Sequence, residues 1–230
     1  MKFTNKEVLL FDLDGTLIDS APDLALAINH MLTTIARPTF SEDLIRSWVG
    51  NGAGILVKRS LSGKSEIDEN IDADLFKQSL QIFLGFYKDN LCINTQLYPN
   101  VRACLKILKA RGYRLALVTN KPHEFIGPIL TGLELDGFFE ILLGGDSLPK
   151  RKPDPSPLLH VCQELQVSIE QCLMVGDSKN DILAAKAANM DSIGLSYGYN
   201  YGEDIGLHKP EAVFNDFSDI VAALSPDYLR

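Results

Sequence analysis

Asp12 and Asp14 stand two residues apart, directly after the apolar run VLLF (8–11), and Gly15 and Thr16 follow them. In extended backbone, residues two apart leave the same face, so the pair presents two carboxylates together. Gly15 permits a tight exit that turns backbone amides toward an anion, and Thr16 adds a hydroxyl donor. Other apolar runs end on groups that complement this pair. Thr119 and Asn120 follow RLALV, Asp177 follows CLMVG with Asp181 four residues on, and Lys152 lies in KRKPDP beyond EILLGG. Carboxylate oxygens suit a hard octahedral cation, and magnesium typically combines one or two of them with substrate phosphate and water. Such an ion and Lys152 would offset the repulsion between a phosphate dianion and an attacking aspartate. Carboxylate attack on phosphorus is an established covalent route. Taken singly, each element has an ordinary reading: a strand-end cap, a turn, a solvated lysine, a charge pattern at a helix start. Their joint occurrence at successive strand ends points to phosphoryl chemistry.

The elements that must hold these groups alternate. VLLF (8–11), RLALVT (114–119), EILLGG (140–145), CLMVG (172–176), SIGLS (192–196) and AVF (212–214) read as strands covered on both faces. Between them, VRACLKILKARG (101–112) carries a 3.6-residue apolar stripe closed by Gly112, and NDILAAKAANM (180–190) opens on a cap signal. Strand and helix in turn predict an α/β, doubly wound parallel-sheet (Rossmann-like) core. From Ala21 to Asn94 the periodicity is helical only, with one stripe through Leu24, Ile28, Met31, Leu32 and Ile35 and another through Leu75, Leu80, Phe83, Leu84 and Tyr87. The expected organisation is a core of residues 1–19 and 96–230 with a helical cap of residues 20–95, joined by two linkers that act as a hinge.

Composition narrows the function classes. The chain has 230 residues, 46% of them hydrophobic, and a net charge of −8 from 22 Lys and Arg against 30 Asp and Glu. It is too apolar for a disordered chain and too acidic for a sequence-independent grip on nucleic acid. The start, MKFTNKEVLLFDLDG, holds only the run VLLF before two aspartates interrupt it, too short for a signal-peptide core or a membrane span. Cys92, Cys104, Cys162 and Cys172 form no C-x-x-C pair and read as reduced thiols. A cytoplasmic monomer or homodimer, with neither nucleic acid nor membrane as partner, is expected.

FDLDGTLIDS (11–20), LVTNKP (117–122), KPDPSPL (152–158) and VGDSKNDILAAKAANM (175–190) resemble the four motifs of the haloacid dehalogenase superfamily, in order and approximate spacing. A helical insert after the first motif is similar to the subgroup whose cap lies between motifs one and two. The resemblance implies a magnesium-dependent phosphatase acting on a small phosphorylated organic acid. Asp12 would be the nucleophile and a metal ligand. Asp14 would be the general acid and base, binding the ion through its main-chain oxygen. Thr119 and the amide of Asn120 would hold phosphoryl oxygens, and Lys152 would neutralise charge between Asp12 and substrate. Asp177 would ligate the ion, while Asp181 would support it from behind or orient Lys152. WVGNG (48–52), GGD (144–146) and YGYNYG (197–202) are similar to a subgroup acting on 2-phosphoglycolate. Other small phosphate esters, pyrophosphate or a sugar-phosphate mutase reaction stand as alternatives, and a phospho-accepting receiver-like module as a different class. WVGNGAG (48–54) reads either as a loop entering the site or as a helix–helix turn with Trp48 in the core. Arg46, Lys58 and Arg59 are candidates to meet a substrate carboxylate.

Overall fold

The structure, a computed structural model, describes residues 3–224. A six-stranded parallel sheet is formed by β1 (Val8–Phe11), β4 (Arg114–Val118), β5 (Ile141–Leu143), β6 (Cys172–Gly176), β7 (Asp191–Leu195) and β8 (Ala212–Phe214), in the order β5-β4-β1-β6-β7-β8. The alternation within β1 explains its unbroken apolar sequence. Leu9 and Phe11 enter one core cluster and Val8 and Leu10 the other, and all are fully buried. α5 (Val101–Ala110), α6 (Ile126–Gly132) and α9 (Ser218–Ala223) cover the Phe11 face. α7 (Ser156–Leu165) and α8 (Lys179–Ala187) cover the Leu10 face.

The doubly wound core thus stands as the sequence predicts, with small differences at the ends. α5 stops at Ala110 because Gly112, at φ +87°, leaves the helix in a left-handed conformation. The EILLGG strand shortens to Ile141–Leu143. A Cβ on Gly145 would lie 2.3 Å from the carbonyl oxygen of Asn120, so the two glycines serve a close loop crossing rather than the ladder.

Four helices, α1 (Ala21–Thr34), α2 (Glu42–Arg46), α3 (Ala53–Ser62) and α4 (Ala73–Asp89), follow β2 (Ile18–Asp19) and precede β3 (Gln96–Leu97). They pack chiefly on one another. α1 buries Leu24, Ile28, Met31 and Leu32 as the stripe predicts. α4 buries Phe83 and Tyr87 but leaves Leu75, Leu80 and Leu84 half-buried. The linkers, expected from sequence to act as a hinge, pair as antiparallel β2 and β3, with Ile18 opposite Leu97 and Asp19 opposite Gln96. Two-residue strands carry no periodicity to detect. Asp23 fastens the crossing further, accepting from Asn94 N–H (2.9 Å), Thr95 N–H (2.9 Å) and the Thr95 hydroxyl (2.6 Å). All four cysteines are free thiols. Among the described residues, no helix is long and apolar enough to cross a membrane.

Candidate active site

β1 lies between β4 and β6, where the strand order reverses, and such a reversal opens a crevice beyond the carboxyl ends of the strands. Asp12 follows β1, Thr119 follows β4 and Asp177 follows β6. The loop before α7 brings in Lys152, and the first turn of α8 brings in Asp181. Lys152 is 2% exposed, and its Nζ donates to Val118 O (2.5 Å) and Asp181 Oδ1 (2.6 Å) and pairs with Asp12 Oδ1 (3.0 Å). Asp181 Oδ2 accepts from the Ser178 amide (3.0 Å) and hydroxyl (2.8 Å), the reciprocal cap that starts α8. Asp177 Oδ1 accepts from the Thr16 hydroxyl (2.7 Å) and its Oδ2 from Tyr199 N–H (2.7 Å). Two glycines let this carboxylate sit so close to backbone. A Cβ on Gly15, at φ +85°, would lie 2.2 Å from Asp177 Oδ2, and one on Gly198 would lie 2.2 Å from Asp177 Cβ.

Asp12, Asp177 and Asp181 each offer an oxygen, and these oxygens lie within 4.8 Å of one another. Burial pushes the Asp12 carboxyl up to about 7; Lys152 opposes that rise, while Asp181 and Asp14 add to it. Burial, with Asp181 and Asp12 nearby, holds Asp177 well above the usual carboxylate range. An all-oxygen, carboxylate-rich donor set fits a hard divalent cation, and such a charge would relieve the crowding of like charges. The Asp14 side chain turns away from this cluster, accepting from the Ser20 hydroxyl (2.5 Å) and from Lys121 Nζ (2.8 and 3.1 Å).

A stability test follows from these shifts. A carboxyl whose pKa is raised by folding holds a proton that the unfolded chain releases, so between about pH 4 and 7 stability falls as pH rises. In EDTA, the melting temperature is expected to be lower at pH 8 than at pH 5. Added Mg²⁺ should raise it more at pH 8, where the ligands are already deprotonated. Equal or smaller stabilisation by Mg²⁺ at pH 8 would contradict the assignment of a cation to these carboxylates.

Beside Asp12 and Asp14 a cavity of about 40 Å³ opens between the sheet edge and the helices α1, α3 and α4. Leu24, Val49, Leu56 and Phe83 give it apolar walls, and Thr119, Asn120 and Lys121 are its polar groups on the sheet side. Asn120 Nδ2 donates to Gly50 O (3.1 Å) and Lys152 O (3.0 Å). Both readings of WVGNGAG hold at once. Trp48 is fully buried, while Gly50 and Gly52 line the cavity and the Gly50 carbonyl also accepts from Asn180 Nδ2 (3.1 Å). Tyr201, from YGYNYG, joins the same place: its hydroxyl donates to Asn51 Oδ1 (2.8 Å) and accepts from Asn180 Nδ2 (3.0 Å).

None of the candidate cations Arg46, Lys58 and Arg59 lines the cavity. Arg46 pairs with Asp19 (2.7 Å) and Glu42 (2.8 Å) and lies over the Tyr199 ring. Arg59 donates to the carbonyls of Trp48 (2.7 Å) and Ser65 (3.1 Å), and Lys58 lies over the Phe76 ring. These cations instead tie their helices to neighbouring elements, Arg46 to β2, Lys58 to α4 and Arg59 to the loop between α2 and α3. Lys121 lines the cavity instead, 4% exposed. Its signal in the sequence is its place in LVTNKP, two residues beyond Thr119.

The model of the haloacid dehalogenase-like hydrolase family matches residues 6–189, a span that contains Asp12, Asp14, Thr119, Lys152, Asp177 and Asp181. The chain is 56% identical over 224 residues to the phosphoglycolate phosphatase of Colwellia psychrerythraea, covering 97% of this chain and 99% of that protein. It is 51% identical over 228 residues to the phosphoglycolate phosphatase of Psychrobacter arcticus, with 97% and 98% covered. Its structure is similar to the crystal structure of a predicted phosphoglycolate phosphatase from Haemophilus somnus, with a TM-score of 0.88 and 44% identity over 95% of this chain and 97% of that one. With strand order, site and sequence in agreement, the chain belongs to the haloacid dehalogenase-like hydrolase family.

Proposed function

We propose that the protein hydrolyses 2-phosphoglycolate to glycolate and phosphate, using Mg²⁺ and an aspartyl-phosphate on Asp12. The observation that supports it most is the meeting of Asp12, Lys152, Asp177 and Asp181 at one sheet edge, beside a cavity that Asp14 and Thr119 also line. The relatives' names supply the substrate. Residues 20–95 act as a cap over the site and residues 1–19 and 96–230 as its base.

Asp12, Asp177 and the main-chain oxygen of Asp14 would hold the ion, with Asp181 behind them. Bound there, Mg²⁺ supplies positive charge against the phosphoryl oxygens. The chain's own residues do the rest. The Thr119 hydroxyl and the Asn120 amide N–H hold phosphoryl oxygens, and Lys152 offsets the charge of Asp12 against the incoming dianion. The Asp12 carboxylate attacks phosphorus, and the bond from phosphorus to the glycolate oxygen breaks as Asp14 gives that oxygen its proton. Asp14, now ionised, takes a proton from water as the water attacks the aspartyl-phosphate. Phosphate leaves, and Asp12 and Asp14 return to their starting states.

Phosphate release from a panel tests this reading: 2-phosphoglycolate, other small phosphate esters, pyrophosphate and sugar phosphates, each with Mg²⁺ and with EDTA. The kcat/KM for 2-phosphoglycolate is expected to exceed every other by about tenfold or more, with turnover lost in EDTA. A higher kcat/KM for another member overturns the substrate, and undiminished turnover in EDTA overturns the metal.

A further inference from the structure

We propose that Lys121 is the specificity-determining residue that binds the substrate's carboxylate, so that the site selects phosphate esters carrying a carboxylate on the carbon next to the ester oxygen. The proposal rests on the phosphatase reading and adds to it the partner of the organic half of the substrate.

An anion entering this cavity meets mainly apolar side chains. Its walls are the side chains of Leu24, Val49, Leu56 and Phe83, against which an unpaired carboxylate is strongly disfavoured. The Asn120 side-chain NH₂ is already committed to the Gly50 and Lys152 carbonyls, and the unpartnered Asn120 Oδ1 can only accept. Lys152 is committed to Val118 O, Asp181 and Asp12. Among the described residues lining the cavity, Lys121 is the cation.

Lys121 is also held charged and in place. Burial works against its charge, but Asp14 and Tyr87 outweigh that, and the ammonium stays above its ordinary pKa. Nζ lies 4.9 Å from the centre of the Tyr87 ring and 2.8 Å from Asp14 Oδ1. The Lys121 amide donates to the Thr119 hydroxyl oxygen (3.2 Å), so the ammonium belongs to the same turn as the phosphoryl-holding residue.

The contact with Asp14 matches the shape of the substrate. Asp14 is the group that protonates the ester oxygen, and Lys121 touches Asp14. In 2-phosphoglycolate the carboxylate is attached to the carbon that bears this ester oxygen. Two groups adjacent in the substrate therefore meet two groups adjacent in the site. A longer ester, with its anionic group several bonds further out, does not meet this pair.

The test compares wild type with Lys121→Met in Mg²⁺, measuring kcat/KM for 2-phosphoglycolate and for ethyl phosphate, which has the same carbon count and no carboxylate. Any effect of the substitution on Asp14 bears on both substrates, so their ratio isolates the carboxylate contact. That ratio is expected to fall by about 100-fold, as for a lost charged hydrogen bond. Lys121→Gln, whose amide can still donate to Asp14, serves as a second variant if Met prevents folding, and should lose the ratio likewise. A ratio kept in the variant, with both substrates falling together, overturns this inference and leaves the substrate reading standing. A wild-type enzyme indifferent to the carboxylate overturns both.

Discussion

Asp12→Asn is expected to lower turnover of 2-phosphoglycolate by on the order of 10⁵-fold or more, the scale on which removal of a covalent nucleophile acts. Asparagine has the size of aspartate, and its carbonyl oxygen can still accept from Leu13 N–H and Lys152, the two contacts that Asp12 Oδ1 makes. Only the nucleophilic charge is removed. The fold should gain from the change, because a neutral amide avoids the burial of charge that, with Asp181 and Asp14 nearby, lifts Asp12 to about 7. The variant's melting temperature in EDTA at pH 8 should therefore equal or exceed that of wild type. Loss of activity with stability kept is the signature of a site that gives up stability for chemistry. Acid-quenched wild type should carry phosphate on the peptide containing Asp12, and the variant none. A variant that retained substantial turnover would falsify the covalent route.

Lys152→Met should be the most destabilising single change at the site. The lysine is fully enclosed and carries bonds to Val118 O, Asp181 and Asp12. Methionine fills much of the same space but leaves two buried carboxylates without their cation. Removing one partner of a buried ion pair typically costs about 3–5 kcal/mol. For a chain of this size that is a fall in melting temperature of roughly 6–20 °C, read by thermal unfolding. Turnover should drop by on the order of 10³-fold as well, since nothing then offsets the dianion beside Asp12. Adding Asp181→Asn removes one of the two stranded charges and is expected to restore part of the stability but none of the activity. A single variant as stable as wild type would show that Asp12 and Asp181 do not rely on this ammonium.

How much of this could be read from the sequence depended on how local the signal was. VLLF lies in one four-residue strand buried on both faces, so its position, its type and the place of Asp12 just beyond it were all legible. The same holds for Thr119 after β4 and Asp177 after β6. What the sequence hid were partnerships made across long separations. The pairing of Ile18 with Leu97 needs two short segments to meet, and neither announces itself. Arg46 and Arg59 looked available because their partners, Asp19 and the Trp48 carbonyl, are set by helix orientation. Tyr201 lay in a motif worth noting, yet its bonds to Asn51 and Asn180 depend on two other loops arriving at one point. The contact of Lys121 carries no local signal of its own, because its partner Asp14 lies 107 residues away in the chain.

The double crossing at β2 and β3 bears on how the helices can travel. A segment tethered at one point drifts in every direction, whereas here both strands of entry and exit are paired, and Asp23 knots them together. Translation and twisting of α1–α4 against the sheet would have to tear that knot, which leaves swinging about a single axis as the easy excursion. Were the helices to swing along such an arc, each return would bring Gly50 and Leu56 back beside Asp12, with alignment inherited from the tether rather than rebuilt by the facing surfaces.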